Sequence, residues 1–195
     1  MNDTAEDIRK RIIEAAKVRF EHFGYNKTSM AEIAEDCDMS PGNLYRYFRN
    51  KLNIAESLMR IVHDELNDTL TKAVEQDGLS ASQQLETLII AELKETWRLI
   101  HRFPTLREPA HQITAQRPML WYELKNTVLE LKARIIRKGN ENGEFNVPDP
   151  LKAAALIRAA TFKYFFPQTN TPTSLEELVT EARGVVNLLI TGLRR

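Results

Sequence analysis

Apolar residues recur at every third or fourth position along most of this chain, and no other property of the sequence restricts the fold as strongly. The first segment shows this spacing in Ile8, Ile12, Ala15, Ala16, Phe20 and Phe23. Residues spaced in this way lie on one face of an α-helix. Glycine and proline are few, and alternation of Val, Ile and Thr is nearly absent. The pattern predicts an all-α protein of about nine helices.

Capping residues and prolines indicate where the first helices begin. The first helix is expected over about residues 6–23. Thr28 or Ser29 caps the second helix, and Glu32 completes a capping box with Ser29. Ser40-Pro41 then begins a short third helix, with serine as the cap and proline as the first helical residue.

Longer helices are expected in the rest of the chain. Asn50 caps the fourth helix, which continues past Val74 to the break at Asp77-Gly78. A short irregular or helical piece lies between Pro104 and Pro109. The remaining helices are expected over about 82–102, 118–142, 150–166 and 174–195.

The first three helices have the spacing of a helix-turn-helix unit, because a tight turn joins the last two. Residues 39–51 include three basic residues and no acidic one. Small side chains, at Ser40, Gly42 and Asn43, occupy the first turn of the third helix. In such motifs this turn reaches the edges of DNA bases.

Several short segments follow a pattern that occurs together in one family of regulators. They are Ala15-Ala16, Phe20, Gly24-Tyr25, Thr28, Ile33-Ala34, Met39-Ser40, Gly42, Leu44-Tyr45, Phe48 and Asn50-Lys51. Over residues 12–58 the chain resembles the DNA-binding domain of the TetR/AcrR family, and residues 40–48 are the most specific part. The resemblance implies a helix-turn-helix domain over residues 1–52 and a larger ligand-binding and dimerisation domain over residues 53–195.

Two positions differ from the family pattern. Asp38 stands where the family usually has glycine in the turn. Aspartate tolerates a left-handed backbone better than most residues, so the turn is expected to survive. Leu52 stands where the family often has an acidic residue at a helix start, which removes a small helix-dipole contribution and no DNA contact.

The resemblance implies a role for each residue of the DNA-binding surface. Thr28 is expected to start the second helix against a backbone phosphate. Tyr45, Tyr47 and Lys51 are expected to contact phosphates. The residues expected to read bases are Ser40, Gly42, Asn43 and Arg46. Two alternatives stay open: Tyr45 covers the edge of the core, and Arg46 and Arg49 belong to a solvated face.

The larger C-terminal part is rich in aromatic residues and has no catalytic signature. It has no Gly-rich phosphate loop, no HExxH sequence and no paired His/Cys ligand spacing. We therefore expect no catalytic residue, cofactor or metal site. By resemblance, its helices surround a pocket for a small apolar inducer, although core packing is the alternative for most aromatics. The expected lining residues are Trp97, His101, Trp121, Phe162 and Phe166.

The last two predicted helices resemble the usual dimer contact of the family. The final helix has a continuous apolar stripe of Leu175, Leu178, Val179, Ala182, Val186, Leu189, Ile190 and Leu193. The preceding helix is rich in small alanines over residues 153–160. Two helices from each subunit would then form a four-helix bundle in a homodimer. Burial of the stripe within one subunit is the alternative.

These features together predict a repressor that binds double-stranded operator DNA and is released by a small-molecule inducer. The net charge is zero, which argues against non-specific coating of nucleic acid. An acidic N-terminus, a single cysteine and the lack of a long apolar run predict a cytoplasmic protein without a membrane partner. The alternatives are an all-helical enzyme and a small-molecule carrier with a vestigial helix-turn-helix.

Overall fold

The computed structural model describes residues 4–102, 105, 107–165 and 174–194. In these residues it has ten α-helices and no strand, which confirms the all-α fold with one helix more than expected. They are α1 (Ala5–Phe23), α2 (Met30–Asp36), α3 (Pro41–Tyr47), α4 (Lys51–Val74), α5 (Ala81–Arg102), α6 (Arg107–Gln116), α7 (Pro118–Glu141), α8 (Pro150–Ala160), α9 (Phe162–Phe165) and α10 (Leu175–Leu193).

Two segments differ from the sequence-based expectation. In the piece expected between Pro104 and Pro109, α6 begins at Arg107, and it continues to Gln116. The helix expected over 150–166 breaks after Ala160, where buried Thr161 leaves helical geometry at φ −99° and ψ 3°. The Thr161 hydroxyl donates a 2.8 Å hydrogen bond to the carbonyl of Ile157. A threonine hydroxyl that bonds back to the preceding turn competes with regular helix geometry.

The chain forms two compact units. The first comprises residues 1–64 and 100–123, and the second comprises residues 65–99 and 124–195. These units are defined by which residues pack together. The predicted boundary between residues 52 and 53 separates a DNA-binding domain from a ligand-binding domain, and it stays a prediction. In the first unit α1, α2 and α3 bury a small core that includes Ile12, Ala16, Phe20, Ile33 and Leu44.

The core of the second unit corrects the prediction for the final helix. The buried stripe of α10 packs inside its own unit, as Leu178, Ala182, Val186 and Ile190 do. Leu189 is half-buried and packs against the same core. Burial within one subunit therefore accounts for this stripe, and a different face of α10 is exposed, with Leu188 at 76% exposure.

An ion pair joins α5 and α7 inside the second unit. The Lys132 ammonium is fully buried and donates a 2.6 Å hydrogen bond to a carboxylate oxygen of Glu92. A buried charge is stable only when it is paired and hydrogen-bonded. Removal of one partner leaves the other charge without compensation in a poorly solvated site.

Lys132→Ala is therefore expected to lower the free energy of unfolding by about 3–5 kcal/mol. Arg134→Ala is the matched control, because Arg134 lies on the same helix and pairs with Glu75 at the surface. An exposed pair contributes only about 0–1 kcal/mol. Urea denaturation of both variants measures the difference, and equal losses would contradict a special role for the buried pair.

Candidate nucleic-acid interface

The turn between α2 and α3 is closed by backbone hydrogen bonds and one left-handed residue. Asp38 has a φ of +53°, and no other non-glycine residue in the described ranges has a positive φ. The Met39 N–H donates to the carbonyl of Ala34 at 3.0 Å, so the chain reverses directly after α2. The expectation that the turn survives with aspartate in a left-handed conformation is confirmed.

Buried residues on one side of α3 fix the direction of its other side. Ser40 caps the helix by accepting the Asn43 N–H at 3.2 Å. Leu44 and Phe48 are buried in the core of the first unit. Gly42, Tyr45 and Arg46 are exposed. A short helix that is anchored on one side in this way presents its other side to solvent.

Glycine at position 42 is not required by packing within the protein. A Cβ added to Gly42 would meet no atom within 4 Å, and the backbone there does not have a positive φ. Ser40 is exposed beside it, while Asn43 and Tyr47 are half-buried. The structure thus brings the predicted base-reading and phosphate-contacting residues of α3 to one short helix with an open first turn.

Arg9 holds the C-terminal end of α3, a role that the sequence pattern did not indicate. Its Nη1 donates a 2.6 Å hydrogen bond to the carbonyl of Tyr47. Its guanidinium also lies over the Phe48 ring, 4.2 Å from the ring centroid. An arginine that combines a carbonyl contact with an aromatic face is fixed in position. No local motif in α1 predicts a partner that lies far along the chain.

Lys51 has a structural position at the start of α4. Its ammonium donates to the carbonyls of Tyr25 at 2.5 Å and Thr28 at 2.6 Å. It also lies 4.3 Å from the centroid of the Tyr25 ring, and burial lowers the pKa of Lys51. The ammonium therefore connects α4 to the loop between α1 and α2. The phosphate contact predicted for Lys51 stays a prediction, and this geometry does not favour it.

Thr28 is also directed into the protein. Its side chain is buried, and its hydroxyl donates a 2.9 Å hydrogen bond to the carbonyl of Gly24. Ser29 caps α2 and forms the expected capping box with Glu32. The phosphate contact predicted for Thr28 is not favoured by this geometry, and Thr28 instead stabilises the loop that Lys51 holds.

The structure places two of the residues predicted to line a ligand pocket, Trp97 and His101, one turn apart on α5, and a third, Phe162, on α9. Trp97 is half-buried and packs against the core of the second unit, whereas His101 is exposed in the first. Phe162 is exposed, with the Lys125 ammonium 5.9 Å from its ring centroid. The Trp121 side chain and Phe166 lie outside the described residues. The ligand contacts therefore stay predictions.

A three-helix unit with a small core and a third helix that exposes Arg46 and has no acidic residue fits the geometry of helix-turn-helix DNA-binding proteins. Residues 12–58 match the family described as bacterial regulatory proteins of the tetR family. Residues 81–186 match the tetracyclin repressor-like C-terminal domain. The chain belongs to the TetR family of transcriptional regulators, as the resemblance implied. This family is not enzymatic, so the enzyme alternative is set aside.

Relatives of known name and solved structures agree with this assignment. The transcriptional regulator TtgR of Pseudomonas putida is 26% identical over 154 residues, which cover 74% of this chain and 73% of that protein. The A-factor receptor protein of Streptomyces griseus is 27% identical over 155 residues, or 77% of this chain and 51% of that protein. A TetR/AcrR-family regulator from Thermobifida fusca has the same fold, with a TM-score of 0.73, 22% identity and coverage of 97% and 100%.

The helices that the structure describes do not meet the requirements of a membrane span. None of them combines the length and the apolar character that a bilayer-spanning helix needs.

The position of Lys51 predicts a loss of stability when its ammonium is removed. Lys51→Met keeps an unbranched stem beside Tyr25 but removes both carbonyl contacts, each of which involves a charged donor. We expect a loss of about 1.5–3 kcal/mol in the free energy of unfolding. Lys27→Met is the control, at an exposed position of the loop between α1 and α2. It is expected to change the free energy of unfolding by less than about 0.5 kcal/mol.

Urea unfolding of both variants, together with the salt dependence of DNA binding, separates the two roles of Lys51. The slope is that of log K for DNA binding against log salt concentration. A stable Lys51→Met protein in which this slope falls by about one would support the predicted phosphate contact and contradict the structural role.

Proposed function

We propose that this chain is a homodimeric repressor that binds a pseudo-palindromic operator and is released from it by a small apolar ligand. The observation that carries the DNA-binding part is the exposed face of α3, where Gly42, Tyr45 and Arg46 lie opposite buried Leu44 and Phe48. In this proposal Ser40, Gly42, Asn43 and Arg46 contact base edges, and Tyr45 and Tyr47 contact phosphates.

An exposed apolar face on the second unit supports the dimer. Gly184, Leu188 and Gly192 are exposed at four-residue spacing along α10. On α8 the exposed residues include Leu156 and Ala159. Small residues permit close approach of helices, and a large exposed apolar side chain is an anchor for a partner surface. Two copies of α8 and α10 would bury these residues in a four-helix contact with two-fold symmetry.

Two observations support release by a ligand. Residues 81–186 match a repressor-like C-terminal domain, and the relative from Streptomyces griseus is by name a receptor. Helix α4 belongs to both compact units, since it begins at Lys51 and passes residue 64. In our proposal a ligand in the second unit changes the spacing of the two recognition helices, and fixed half-sites make that change unfavourable for DNA binding.

The dimer proposal predicts the effect of a charge on the exposed face of α10. Leu188→Glu is expected to convert the dimer to a monomer in sedimentation experiments, because it places a carboxylate in an apolar contact. Met119→Glu is the matched control, since Met119 is also 76% exposed but lies in the first unit. A Leu188→Glu protein that sediments as the wild type would contradict the proposed contact.

The ligand proposal predicts reciprocal coupling between ligand and DNA. Trp121→Phe leaves Trp97 as the one tryptophan, so its fluorescence reports binding in the second unit. A panel of apolar ligands is screened against this variant, with a duplex selected from a randomised pool as the DNA. An inducer should weaken DNA binding, and the duplex should weaken ligand binding by the same factor, about 5–150-fold. If the duplex binds and no ligand in the panel weakens that binding, the proposed release by an apolar ligand fails.

A further inference from the structure

A polar cleft of about 490 Å³ lies in the first unit, beside the C-terminal end of α3. Most of the residues that line it have basic or amide side chains. The basic and amide residues are Arg9, Arg49, Asn50, Asn53 and Arg117, and Glu56 is the one acidic residue of the lining. Three guanidinium groups thus share the cleft with one carboxylate, although the net charge of the chain is zero. Such a cleft concentrates anions by local charge.

Two of the three arginines are fixed in place by other contacts. Arg9 is held by the Tyr47 carbonyl and the Phe48 ring. Arg117 donates from Nε to Glu56 at 2.7 Å and from Nη1 to the Gln116 carbonyl at 3.4 Å. A guanidinium has five N–H donors in a rigid fork, so an arginine held by one edge still presents donors from its other edge.

The cleft lies next to the C-terminal end of α3, the helix that we propose reads DNA. Its lining includes Tyr47, Phe48 and Arg49, which are the end of α3 and the residues directly after it. A helix of seven residues is about 10 Å long, whereas the major groove is about 12 Å wide. The end of such a helix therefore approaches the phosphates at the edge of the groove. Arginine is well suited to bind a phosphate through two parallel N–H donors.

We propose that this cleft binds a backbone phosphate of the operator, and that Arg117 makes the contact together with Arg49. The proposal rests on the proposed placement of α3 in the major groove. Arg117 lies between α6 and α7, within the residues that match the C-terminal domain family. The DNA-binding surface then extends beyond the three-helix unit to a residue that no helix-turn-helix pattern includes.

Arg117→Gln tests the proposal, because it removes the charge and keeps an amide that can donate to Glu56. Its matched control is Arg60→Gln, since Arg60 also pairs with a glutamate in the first unit and is 48% exposed against 49% for Arg117. Binding to a duplex selected from a randomised pool is measured by fluorescence anisotropy over a range of salt concentrations. The slope of log K against log salt should fall by about 0.9 for Arg117→Gln and stay at the wild-type value for Arg60→Gln.

Further variants separate the contact from folding and from base reading. Arg49→Gln, at an exposed residue of the same cleft, should lower the slope by a similar amount and serves if Arg117→Gln unfolds. Arg117→Gln should weaken binding to all duplexes alike, whereas Arg46→Ala should change sequence preference.

Three outcomes would overturn the proposal, and they are distinguishable. Wild-type binding with unchanged slopes in Arg117→Gln and Arg49→Gln would remove the cleft from the interface and leave the proposed DNA binding intact. Loss of inorganic phosphate binding in Arg117→Gln, with an unchanged DNA slope, would make the cleft a site for a small anion. Failure of the wild type to bind any selected duplex would overturn the proposed function itself.

Discussion

The burial of Leu44 and Phe48 is the constraint on which the DNA-binding surface depends. Helix α3 has seven residues, too few for an isolated helix to be stable in water. It exists because these two side chains close the small core that α1 and α2 begin. Its exposed face is therefore a consequence of packing: Tyr45 and Arg46 point outward because their neighbours point inward. A partner meets a surface whose orientation is already fixed.

Local signals in the sequence were sufficient for most of the helices and insufficient for several polar side chains. The caps at Ser29 and Ser40 and the turn at Asp38 depend on a few adjacent residues, and the structure has them as predicted. The destination of Lys51 depends instead on carbonyls that lie more than twenty residues earlier in the chain. Spacing alone could not distinguish a phosphate contact from this internal one.

The same limit explains the error at the final helix. Periodicity shows which residues of α10 share a face, but it does not show which surface covers that face. Leu189 and Leu188 are adjacent and chemically identical, yet Leu189 packs on its own core and Leu188 is exposed. The eight apolar residues of the stripe form a clear helical period, whereas Gly184, Leu188 and Gly192 include one large apolar side chain. The periodicity of the sequence therefore indicates the stripe and not the second face. The intersubunit contact that we propose uses the weaker signal.

The internal position of α10 has a consequence for how the second unit folds. The helix completes a core to which α4, α5, α7, α8 and α9 also contribute, and Arg194, directly after α10, donates a hydrogen bond to Ser82, 112 residues earlier in the chain. Contacts between residues so distant in sequence form slowly, because a long loop must close before they contribute. Until α10 docks, its own apolar residues Leu178, Val186 and Ile190 lack the core that buries them in the native structure. The incompletely folded chain, more than the native subunit, is then the species that aggregates or binds a chaperone.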